Sequence, residues 1–207
     1  AATDPNDIFS CKDIDIVHIC TPNAYHKDAV ISALKAGKHV YCEKPLTTSY
    51  ADAQEILSVL KGTELTTQMT FQNRFLPAVM RARQLIDDGR LGCILSFNAV
   101  YLHSGSIDPD KPIGWKQDSE LGGRGVLFDL GSHVLDLIYY LVGEYKSIIA
   151  SNRVLYPQRP AADGNMIPIT AEDQSIMMVK MKNQSMGMIE VSKIATGTND
   201  ELEFAIY

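Results

Sequence analysis

The sequence predicts an α/β fold, with βαβ units and a parallel sheet in its first third and an α+β region with an open, mainly antiparallel sheet after it. Three observations carry this prediction. Strand-length apolar runs alternate with helix-length amphipathic segments as far as residue 72. The alternation then breaks, and four strand-like runs follow one another near the C-terminus with only loops between them.

"DIVHIC" (15–20) is a β-rich run of strand length, ended by the turn-forming "TPN". Ala29, Val30, Ala33 and Leu34 repeat at helical spacing within 24–36, and Gly37 stands where a C-terminal helix cap belongs. "HVYC" (39–42) is the next strand. Ser49, with Asp52 three residues later, opens a helix that runs to 61–62, and "ELTTQMTF" (64–71) is a third strand. Pro77 and Gly89 frame a helix over 75–88, and "CILSFNAVYLH" (93–103) is a long strand. Residues 104–120 read as a loop holding the sole tryptophan, Trp115, and a helical pattern covers 126–142. "YKSIIASNRVLY", "QSIMMVKM", "SMGMIEVSKI" and "ELEFAIY" are the closing strands, whose succession without helices implies antiparallel pairing. The expected domains are residues 1–72 and 73–207. No G-x-G-x-x-G occurs, the first segment is polar and the last apparent strand ends without a turn, so the sequence reads as an internal piece of a longer protein.

Composition excludes several classes of function. The hydrophobic fraction of 45% allows a real core, and a net charge of −6 with 19 scattered Lys and Arg gives a phosphate backbone no basic stripe, so nucleic acid is not an expected partner. No apolar run reaches the roughly 18 residues needed to span a bilayer. Cys11, Cys20, Cys42 and Cys93 form no C-x-x-C pair, which suits reduced thiols and a cytoplasmic, soluble protein without disulfides. No pair of histidines has metal-like spacing, so no metal site is expected.

Three constellations could carry chemistry. Glu43-Lys44-Pro45 falls at the carboxyl end of a parallel strand, where α/β sheets bind ligands, and so does Thr21-Pro22-Asn23. The residue before a proline is held extended, so Lys44 has a fixed direction and its bond to Pro45 is a candidate for cis. A lysine so placed can polarise an oxygen or pass a proton; a strand end with two solvated charges is the plainer reading. In "GGRGVLFDLGSHVLDL" (122–137), Asp129 and His133 are four apart and share a helix face that Asp136 continues. An imidazole beside a carboxylate suits proton transfer near neutral pH, and an amphipathic helix with one polar pair is the alternative. Gly122, Gly123, Gly125 and Gly131 suggest close approach of backbone or ligand. Arg74, in "QNRF", could clamp a polyol or anion, or end in an ordinary ion pair.

The passages "VHICTPNAYHKDAVISALKAGKHVYCEKPL", "TFQNRF" and "GGRGVLFDLGSHVLDLIYYL", in that order, resemble the glucose-fructose oxidoreductase and inositol dehydrogenase family. The resemblance implies the second half of a Rossmann-type domain followed by an α+β domain whose open sheet supports homo-oligomers. It implies NAD or NADP as cofactor and a sugar, cyclitol or related polyol as substrate. It makes Lys44, Asp129 and His133 catalytic, with His133 the proton acceptor. Thr21, Pro22, Asn23, His26, Glu43, Lys44 and Pro45 become cofactor-binding residues, and Arg74 and Trp115 join Asp129 and His133 on the substrate. A non-catalytic protein that senses nucleotide or sugar on the same fold is the alternative, and a lyase forming a Schiff base at Lys44 is a third reading.

Overall fold

The computed structural model describes residues 2–207, which fall into two compact units. One unit runs to Thr70 and includes Glu120–Gly123; the other comprises Phe71–Ser119 and Arg124–Tyr207.

The first unit opens with a short helix, α1 (Pro5–Ser10), that the sequence reading passed over. Its signal was present: Asp4 accepts from the backbone N–H of Asn6 at 2.9 Å and Pro5 occupies the first turn. Strands β1 (Ile16–Ile19), β2 (His39–Cys42) and β3 (Thr67–Met69) form a parallel sheet in that order. Helix α2 (His26–Lys35) links the first two, and α3 (Tyr50–Leu60), capped by Ser49 on the N–H of Asp52, links the next two. Val30, Ala33 and Leu34 of α2 and Ile56 of α3 pack with Ile19, Val40 and Cys42. The helices therefore cover one face of the sheet. The other face, with Ile16, His18, His39, Tyr41, Thr66 and Gln68, lines an open concavity.

In the second unit a 3-10 turn (Gln72–Phe75) precedes α4 (Pro77–Asp87), which starts later than expected because Leu76, ahead of a proline, is extended. Five strands follow: β4 (Ser96–Leu102), β5 (Tyr145–Arg153), β8 (Gln174–Met181), β9 (Met186–Ser192) and β10 (Glu201–Ile206), with the small antiparallel pair β6 (Gln158–Pro160) and β7 (Met166–Pro168) between the second and third of these. The sheet order is β10-β4-β9-β8-β5. Three of its pairings are antiparallel, as expected, but β4 and β9 run parallel. Val134, Leu137, Ile138 and Leu141 of α5 (Ser132–Val142) pack with Phe97, Met177, Val179, Met181, Ile189 and Val191, each fully buried aliphatic side chain stabilising the fold by about 1.5–3 kcal/mol. On the opposite face Ile149, Met178 and Met188 lie side by side across β5, β8 and β9, all more than half exposed. Among the described residues no helix is long and apolar enough to cross a membrane.

The expected helix over 126–142 is not uniform: Leu127–Gly131 is a turn of π-helix that passes into α5. Its entry is set by backbone packing. A Cβ on Gly125 would lie 2.1 Å from the carbonyl oxygen of Glu172, the same oxygen that accepts from Val126 N–H at 2.8 Å, while the Glu172 carboxylate accepts from Leu127 N–H at 3.0 Å. A Cβ on Gly131, also flagged from sequence, would meet only ordinary contacts, the nearest at 3.4 Å from the Leu127 side chain. Gly125→Ala should lower stability by about 1–3 kcal/mol through this overlap, read as a lower denaturation midpoint; an unchanged midpoint would refute the packing argument. A second expectation concerns Cys42, whose thiol is pushed up to about 12 by burial and by the Glu43 carboxylate. The thiolate is the reactive form. At pH 8 exposed Cys20 and Cys93 should react with a disulfide reagent while Cys42 reacts only on unfolding.

Candidate functional site

In the first unit the three strand ends are knitted together in steps. Glu43 N–H donates to Ile19 O and Thr70 N–H to Cys42 O, both at 2.9 Å, so the loops after β1, β2 and β3 leave from one level. His26, fully buried, contacts Thr21 O at 2.8 Å through Nε2 and Pro45 O at 2.9 Å through Nδ1. One ring thus ties the Thr21-Pro22-Asn23 loop to Glu43-Lys44-Pro45; a cationic ring donates to both carbonyls and a neutral one to a single carbonyl. Asn23 is also buried, and its Nδ2 donates to Gly122 O at 2.9 Å. The Lys44–Pro45 bond is cis.

Thr70, which sequence reasoning missed, fixes the charged pair. Its hydroxyl donates to Glu43 Oε2 at 2.7 Å and accepts from Lys44 N–H at 3.2 Å. Glu43 Oε1 faces His18 Nε2 at 3.9 Å, and Cys20 completes a group of three donor side chains within 4.8 Å of one another. The sequence reading compared histidines along the chain and expected no metal site; this grouping instead crosses two strands.

In the second unit Asp129 sits on the π-helical turn and His133 in the first turn of α5. His133 is 5% exposed, with the ring of Phe71 edge-on at 6.1 Å and that of Tyr101 at 6.2 Å. Burial, followed by a hydrogen bond to Asp200, pushes the Tyr101 hydroxyl up to about 12, so it stays a neutral phenol at physiological pH. Two lysines hold Asp129, one on each oxygen: Lys116 Nζ lies 2.7 Å from Oδ1 and Lys193 Nζ 2.9 Å from Oδ2. Each carboxylate oxygen thus has an ammonium group against it. Lys193 dominates this clamp, because its side chain is 14% exposed against 48% for Lys116, and water screens the more open pair.

Lys193 is itself anchored. Its N–H donates to Asp173 O and its carbonyl accepts from Ser106 N–H, both at 2.8 Å. Fully buried Arg159 engages the same two residues, donating to Ser106 O and lying 3.9 Å from the Asp173 carboxylate. Neither Lys193 nor Arg159 stands out in the sequence.

Arg74 makes the ion pair that was one of its two expected fates. The Arg74 guanidinium donates through Nε to Asp136 at 2.7 Å and lies 4.9 Å above the Tyr140 ring, so its donors serve a tie between the turn before α4 and α5. That hydrogen bond raises the guanidinium pKa further. Asp136, 8% exposed at its side chain, is the acceptor of that tie. Trp115 opens a 3-10 turn, is 41% exposed, and has Lys116 Nζ 5.8 Å from its ring.

Comparison with known proteins follows the same division. Residues 1–71 match the oxidoreductase family with an NAD-binding Rossmann fold, and residues 79–207 match the GFO/IDH/MocA C-terminal domain. Levoglucosan dehydrogenase of Pseudarthrobacter phenanthrenivorans is 32% identical over 100% of this chain and 56% of its own length. Myo-inositol 2-dehydrogenase of Thermotoga maritima is 25% identical over 97% of this chain and 56% of its own. A solved levoglucosan dehydrogenase in complex with NADH and L-sorbose superposes with a TM-score of 0.97 at 33% identity, covering 100% of this chain and 55% of that one. The chain therefore spans about half the length of the relatives it matches. By both matches it belongs to the GFO/IDH/MocA oxidoreductase family, with an NAD-binding Rossmann fold followed by that family's C-terminal domain.

Proposed function

We propose that this chain serves the oxidation or reduction of a hydroxyl carbon on a sugar or cyclitol with NAD(P) as cofactor. The observation that carries the reading is the Asp129 carboxylate, clamped on both oxygens one turn before the buried imidazole of His133. A carboxylate acceptor of fixed direction suits a neutral substrate rich in hydroxyl donors. The relatives named for levoglucosan and myo-inositol support that class, since both compounds are polyhydroxylated rings.

The loops at the strand ends fit the nicotinamide-bearing end of the cofactor: His26 braces them from within, and Thr70 holds Glu43 and Lys44 in one direction. The sequence has no G-x-G-x-x-G to cradle the pyrophosphate, so these residues account for part of the cofactor only. Thr21, Pro22, Asn23, Glu43, Lys44 and Pro45 would hold it. NAD is favoured by the family match and by the neighbour holding NADH. A bound nicotinamide supplies the hydride acceptor or donor.

In this reading His133 accepts the hydroxyl proton at a ring nitrogen during oxidation, and Lys44 polarises the oxygen as it becomes a carbonyl. Asp129 accepts from a neighbouring hydroxyl and orients the ring. Lys193 is a positioning residue, acting through Asp129. The apolar row Ile149, Met178 and Met188 is proposed to be covered by a second copy of the chain, in line with the homo-oligomers implied by the resemblance.

NAD(P)-linked turnover over a panel of sugars and cyclitols tests the reading. His133→Ala and Lys44→Ala should each lower kcat/KM by about 10²–10⁴-fold. Lys193→Met should lower it about tenfold, with partial recovery in Lys193→Arg. Wild-type turnover in His133→Ala would sink the assignment, and ligand binding without turnover in the intact protein would favour a sensor. For the sheet face, Met178→Glu should shift the mass seen by light scattering toward the monomer; an unchanged mass would place the contact elsewhere.

A further inference from the structure

We propose that His18, Cys20 and Glu43 form a binding site for a thiophilic divalent cation of the zinc class, which shares Glu43 with the cofactor loops proposed above and is tested apart from turnover. His18 in β1 and Cys20, one residue beyond its end, are two apart and both exposed on either side of buried Ile19. The parallel register, Ile19 opposite Cys42, then sets Glu43, just beyond the end of β2, next to Cys20. Imidazole, thiol and carboxylate therefore converge by strand geometry, with their donor atoms all within 4.8 Å of one another.

The spacing suits a tetrahedral ion. Zinc bonds of about 2.0–2.3 Å place neighbouring ligands roughly 3.3–3.8 Å apart. His18 Nε2 and Glu43 Oε1 are at 3.9 Å, and rotation of half-exposed side chains closes the remainder. The outer shell is in place as well. Thr70 donates to Glu43 Oε2 at 2.7 Å, which leaves Oε1 toward His18, and the His18 ring leans on Tyr41 with centroids 4.7 Å apart. Metal-ligating carboxylates are held by such outer contacts. A simple ion pair accounts for the arrangement less well. At 3.9 Å the contact is too long for a hydrogen bond, an exposed pair contributes little, and neither involves Cys20.

One thiol, one imidazole and one carboxylate make a mixed S, N, O donor set, which suits zinc or cobalt over magnesium or calcium. Three protein ligands leave a fourth position to water. On binding, the Cys20 S–H bond is replaced by a sulfur–metal bond and the proton goes to solvent, while His18 binds as the neutral ring through Nε2.

Cobalt(II) titration of the 207-residue chain under reducing conditions is the test, since a thiolate ligand gives a near-ultraviolet charge-transfer band and tetrahedral geometry gives strong visible bands. A single equivalent should bind and be displaced by zinc. Cys20→Ser and Cys20→Ala should abolish the charge-transfer band, and His18→Ala should weaken binding by at least about tenfold. Thr70→Val, which keeps all three ligands, should weaken it by about 10–100-fold, and Cys93→Ser should leave it intact. An octahedral spectrum, or a charge-transfer band that survives loss of Cys20 with circular dichroism unchanged, would mean an adventitious ion only and would overturn the proposal.

Discussion

Strand register is the constraint on which both units rest. Side chains alternate across a strand with a period of two, so a slip of one residue would send every one of them to the opposite face. In the first unit, pairing Ile19 with Cys42 sets the loops after β1 and β2 at a common level and Cys20 beside Glu43. In the second, pairing Leu102 with Ser192 brings the chain to Lys193 at the point from which it reaches Asp129. Each functional grouping is a consequence of backbone pairing settled elsewhere in its sheet.

Within that frame, small polar contacts decide which atoms are presented. The His26 ring joins two loops by their carbonyls, and the Thr70 hydroxyl holds an acid through its side chain and a lysine through its backbone. Neither residue needs to touch a ligand to matter. A buried polar group left without its partner costs roughly 1–3 kcal/mol, so loss of either tie would release the loops as well as destabilise the unit. The charged ends of Glu43 and Lys44 can remain partly exposed because their backbone is held from below.

Much of this was legible in the sequence, and what was not has physical causes. The alternation of strands and helices to residue 72, the cap at Ser49, the loop at Thr21-Pro22-Asn23 and the cis bond before Pro45 were local signals, and local signals survive folding. The parallel pairing of β4 with β9 was not readable, because successive strands say nothing of which partners they choose. The spacing of Asp129 and His133 was visible, yet the π-helical turn that carries Asp129 was not, since it arises where Gly125 packs against the backbone of Glu172, 47 residues away in sequence. The sequence left Arg74 open between a substrate clamp and an ion pair because its partner Asp136 lies 62 residues on. The group of His18, Cys20 and Glu43 escaped a search along the chain because it runs across strands.

Lys193 shows the limit most clearly, and also what sets its position. It belongs to no motif, follows an ordinary strand, and meets Asp129 across 64 residues of sequence. Its place depends on β9 staying in register with β4, and that register has an identifiable lock. Phe97 and Gly187 face each other in the ladder, and a Cβ at Gly187 would fall about 2.4 Å from the Phe97 ring. The ring fills the space a side chain would take, so a shift of β9 in either direction would bring Met186 or Met188 against Phe97. A glycine that does no chemistry thus fixes the strand, the strand fixes Lys193, and Lys193 holds the carboxylate.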